Sequence, residues 1–90
     1  MKITEVKVRA ANSPKYPDLA HIVSITVDNE LVINDIRVYK REDGTYKVKL
    51  PNHPISERHG VRNITTTNSE SFNNIKSVII QKIKENENGS

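Results

Sequence analysis

The sequence predicts an α+β domain, a mostly antiparallel sheet of four to five strands in meander order with one C-terminal α-helix. Three observations carry that expectation. Two β-branched runs, Ile22 to Val27 and Leu31 to Val38, flank Asp28-Asn29-Glu30, the pattern of a strand, a tight turn and a returning strand. Asp43-Gly44, a pair favoured where positive φ is needed, precedes the alternating Tyr46, Val48 and Leu50. Phe72, Ile75, Ile79 and Ile83 then recur at three- and four-residue spacing, as on one face of a helix.

In order along the chain, Lys2 to Ala11 alternates, with Val6, Val8 and Ala10 on one side and Glu5, Lys7 and Arg9 on the other, and reads as a half-exposed first strand. Ser13-Pro14 and Tyr16-Pro17 interrupt any ladder because proline has no N–H, so a loop leads to the central hairpin. In that hairpin Val23, Ile25 and Val27 share one face, and Val32, Ile36 and Val38 are expected to share one face of the returning strand, with Asn34 as a polar exception. Pro51 ends the fourth strand, and Pro51 to Gly60 reads as a long loop. Val61 to Thr67 offers a short fifth strand through Ile64 and the threonines.

Asn68 and Ser69 supply N-cap side chains and Glu70 a negative charge in the first turn, which starts a helix expected from about Ser69 to Glu85. Val78 and Ile80 widen its apolar arc to roughly 200°, more than one sheet face needs, so a second copy is expected to cover the flank. Residues 1–85 are expected to form the single domain, with 86–90 as a disordered tail of Asn, Glu, Gly and Ser.

At 90 residues, 34% of them apolar, with no Trp and one Phe, the chain has a thin core for a free-standing domain, which also favours a homodimer. The absence of cysteine removes disulfides and thiolate chemistry, and no apolar stretch approaches the roughly 20 residues of a membrane span, so a soluble cytoplasmic protein is expected. The net charge of +3, from 14 Lys and Arg against 11 Asp and Glu, is compatible with a polyanionic partner but far from histone-like density.

Catalysis is not expected. No serine sits in a Gly-x-Ser-x-Gly elbow, and turn formation accounts for Asp28 and Glu30. His53, Glu57 and His59 share one loop but lack the three or four converging ligands of a metal site, so neither metal nor cofactor is expected. What remains is a distributed basic set: Arg37, Lys40, Arg41, Lys47, Lys49, Arg58, His59 and Arg62, with Lys76, Lys82 and Lys84 on the helix. Such residues can track a phosphate backbone where the fold gathers them onto one side. Tyr16, Tyr39 and Tyr46 are dispersed, which disfavours recognition of single strands by base stacking.

Ser24 to Val38 resembles the signature of the stage V sporulation protein G (SpoVG) family of bacterial septation regulators. The family's run reads approximately S-I-T-F-D-N-x-F-V-V-H-D-I-R-V, and Ser24, Ile25, Thr26, Asp28, Asn29, Val32, Asp35, Ile36, Arg37 and Val38 match it. Met1 to Val6 is similar to the family's opening M-K-V-T-D-V, Leu50-Pro51 falls at its Met-Pro pair, and Asn68-Ser69 and Ile75 align with its helix start. The resemblance implies a dimeric regulator that binds specific DNA sites and, in some members, RNA, through the loop after the Met-Pro pair and the start of the helix.

This chain departs from the family in those regions. The family's Ser-Lys-Arg is Asn52-His53-Pro54 here, its His-Pro-Ile is Thr65-Thr66-Thr67, and basic residues of the first helical turns are Phe72 and Asn74. The expected contact residues are therefore Lys40, Arg41, Arg58, His59, Arg62 and Lys76, with double-stranded DNA and RNA as partners. A dimeric protein–protein adaptor that leaves nucleic acid untouched is the expectation from a different class.

Overall fold

A computed structural model describes residues 1–52, 58–60 and 64–88. Four strands, β1 (Ile3–Ala10), β2 (Leu19–Val27), β3 (Leu31–Lys40) and β4 (Tyr46–Lys49), are followed by one long helix, α1 (Ser69–Asn88). Each strand pairs antiparallel with its neighbour in sequence, giving the sheet order β1-β2-β3-β4. The expected meander and C-terminal helix are both present.

The turns form where their residues tolerate the backbone they need. Asp28 and Asn29 both adopt positive φ (53° and 57°), and the Glu30 N–H closes the turn onto the Val27 carbonyl at 3.0 Å. The start of β1 pins this turn: the Lys2 N–H donates to Asp28 Oδ1 at 2.9 Å, and the Asn29 N–H donates to Thr4 Oγ1 at 3.1 Å. In the β3–β4 turn Gly44 has φ 87° and its N–H reaches the Arg41 carbonyl, as the Asp43-Gly44 pair leads one to expect.

The core lies between one sheet face and α1. Val23, Ile25 and Val27 of β2, Ile36 and Val38 of β3, and Tyr46 and Val48 of β4 meet Ile75, Ile79 and Ile83 of α1. Ile3, Val6 and Val8 of β1, with Ile80 of α1, pack at its margin. Asn68 Oδ1 accepts from the Ser71 N–H at 2.8 Å and starts the helix as an N-cap.

Three expectations need correction. Val32 does not share a face with Ile36 and Val38: it is exposed, and Ile33 turns inward instead. Val23 pairs with Ile36 and Ile25 with Ile33, so Ser24 alone opposes both Asn34 and Asp35. This β-bulge inserts one residue and reverses the parity of β3 on either side of it. The helix also continues past Glu85 to Asn88, because Glu87 has a partner in the sheet: the Tyr46 hydroxyl donates to Glu87 Oε1 at 2.7 Å. Residues 64–67 form no strand, and residues 61–63 of the fifth-strand expectation lie outside the described residues.

Candidate nucleic-acid interface

The helix covers one face of the sheet; among the described residues no helix packs on the other. Strand parity sends Lys7 and Arg9 of β1, Arg37 of β3, and Lys47 and Lys49 of β4 to that open face, and all five are exposed. The pairing register then lines them up. Arg9 pairs with Ile22, Ile22 with Arg37, and Arg37 with Lys49, so one row across all four strands carries three cations around an aliphatic residue. With strands about 4.8 Å apart, the row spans about 14 Å.

Lys7 lies 3.8 Å from the Glu5 carboxylate, an exposed pair that contributes little to stability. Beyond the row, Tyr39 pairs with Lys47. On the other side of the row comes the bulge, where Ser24 Oγ donates to Asn34 Oδ1 at 2.8 Å and Asp35 takes a left-handed φ of 60°.

One end of this face is concave. A groove of about 680 Å³ runs between the loop after β1 and the exit of β4, and Arg9, Arg37 and Lys49 line it together with Tyr16, Ile22 and Asp35. Tyr16 is 45% exposed, with Lys15 Nζ 5.6 Å from its ring centroid. The tyrosines are thus not equally dispersed: Tyr46 is buried in the core, whereas Tyr16 stands on the rim of a cationic groove.

The residues expected from sequence occupy other places. Lys40 and Arg41 are exposed at the β3–β4 turn, where Arg41 Nη1 donates to Thr45 Oγ1 at 3.4 Å. In that turn Thr45 donates to Asp43 through both its hydroxyl and its N–H, which lowers the Asp43 pKa, with Arg41 adding to the effect. Lys76 is half-buried on α1, beside Ile80 and Lys84. It lies eleven residues, about 16 Å of helix, from Glu87, whose partner Tyr46 pairs with Lys40. Lys76 and the Lys40–Arg41 pair therefore do not form one patch. Arg58 and His59 are exposed, and Arg62 lies outside the described residues, as do His53 and Glu57.

Sequence reasoning counted Arg37, Lys47 and Lys49 in the basic set, with Lys47 and Lys49 at the outward positions of their strand, but left Arg9 outside that set. The available signal was alternation in β1, which already turned Arg9 outward; the pairing register that sets it in line with Arg37 was the missing part.

The comparisons agree with the resemblance. The family model SpoVG matches residues 1–85. A protein of Caldanaerobacter subterraneus subsp. tengcongensis named "Putative septation protein SpoVG" is 33% identical over 89 residues, covering 96% of this chain and 94% of the relative. One of the same name from Agathobacter rectalis is 32% identical over 84 residues, covering 93% of each. A third, from Aster yellows witches'-broom phytoplasma, is 39% identical over 57 residues, covering 63% of this chain and 54% of the relative.

Proposed function

From the premise that this chain belongs to the SpoVG family, we propose that it is a nucleic-acid-binding regulatory protein that takes double-stranded DNA and RNA and acts in bacterial septation, sporulation or gene expression. The observation that carries the reading is the row Arg9–Ile22–Arg37–Lys49 on the open sheet face. Three cations in line on an exposed surface suit a run of backbone phosphates, whose bound counterions are released when Lys and Arg replace them. The site of action is the cytoplasm, and the working form is a homodimer joined through a sheet edge and α1. No helix among the described residues is long and apolar enough to cross a membrane.

The test is binding of the full chain to mixed-sequence duplex DNA and to RNA at two salt concentrations. Affinity is expected to fall steeply with salt, and Arg37→Ala plus Lys49→Ala should reduce the log–log slope by about 0.9 per lost duplex-DNA contact. Arg58→Ala plus Arg62→Ala, made in parallel, reports on the loop and decides which surface carries the phosphates. Absence of binding at low salt would overturn the proposal and favour an adaptor.

A further inference from the structure

The groove at the end of the open face is not a simple phosphate cradle. Asp35 stands in its wall with Arg9, Arg37 and Lys49, and no hydrogen bond or ion pair engages its carboxylate among the described residues. A fixed negative charge there opposes a phosphate placed against it, so the cations and the carboxylate suit different parts of one ligand. Asp35 also has a left-handed backbone (φ 60°), which most residues avoid and Asp and Asn tolerate. Strain of this kind concentrates at ligand clamps.

We infer that this groove reads one unpaired guanine of a single-stranded segment, with the Asp35 carboxylate accepting the two adjacent N–H donors of its Watson–Crick edge. The inference rests on the nucleic-acid reading and gives it a substrate class. Arg9 and Arg37 take the flanking phosphates, the Tyr16 ring on the rim offers a stacking surface, and Ile22 supplies an apolar floor. Guanine fits because its N1–H and exocyclic amine lie side by side, matching the two oxygens of a carboxylate. Adenine and cytosine pair their amine with a ring acceptor, and uracil flanks its one N–H with two carbonyls; each sets an acceptor against the carboxylate. The volume, about 680 Å³, is that of a small-molecule site.

The experiment uses the full chain and labelled oligouridines of eight nucleotides carrying one central guanine, inosine or adenine, read by fluorescence anisotropy at two salt concentrations. Guanine is expected to bind about tenfold more tightly than adenine, with inosine, which lacks the exocyclic amine, in between. Asp35→Asn, which tolerates the same backbone, should abolish the guanine preference while leaving the salt slope unchanged. Equal affinity for guanine and adenine, or a preference that survives Asp35→Asn, would overturn the inference while salt-dependent binding kept the broader proposal intact. No binding of any oligonucleotide or duplex at low salt would overturn both.

Discussion

Tyr46 shows how one side chain can tie the two layers together. Its ring is in the core, edge-on to His21 with centroids 6.1 Å apart, and its hydroxyl donates to Glu87 near the end of α1. That bond, aided by burial and by the negative charge of Glu87, raises the tyrosine pKa above its ordinary value. A raised pKa means that the folded state holds this proton more tightly than the unfolded state does, so the contribution is complete below about pH 10 and is lost as pH rises through the folded value. Melting temperatures measured from pH 8 to 11 should therefore fall more steeply for the wild type than for Tyr46→Phe. Below pH 9 the variant should be less stable, by about 1 kcal/mol, for the missing hydrogen bond. Parallel pH profiles would refute this account.

Among the elements, α1 is held by its cap and by one stripe of isoleucines, and these differ in weight. Asn68→Ala removes the acceptor of the Ser71 N–H and should cost about 1 kcal/mol. Ile79→Ala, at a position with no exposed surface, leaves a cavity against the sheet and should cost about 2 to 5 kcal/mol. Urea titration of both variants checks the order. The cap and stripe were legible in the sequence because a helix writes its buried face into residue spacing. The face of β3 ahead of Asn34, at Val32 and Ile33, was not legible, because alternation is reliable only while no residue is inserted, and no composition signal separates the bulge at Asn34–Asp35 from a continuous strand.

For the whole molecule, one sheet face holds the core with α1 and the other presents the basic row, so association must use an edge of the sheet or the flank of the helix if the row is to remain open. Ile80 is half-buried on that flank, in a shallow groove with Lys76 and Lys84. The homodimer proposed above predicts that the chain sediments as a dimer at micromolar concentration and that Ile80→Glu shifts it toward monomer without unfolding it. A monomeric wild type would count against that assembly and leave the nucleic-acid test unaffected.

Local chemistry was legible in the sequence: strands from alternation, turns from Asp28-Asn29 and Asp43-Gly44, the helix from its cap and spacing, and the family from Ser24 to Val38. Each depends on residues that are neighbours along the chain or one turn apart. The candidate site depends instead on residues 9, 22, 37 and 49 becoming neighbours across strands, and on a bulge that brings Asp35 into the groove with two of the arginines. Pairing register is set by how the whole sheet packs its apolar face against α1, so only the folded chain could decide which of its scattered cations stand together.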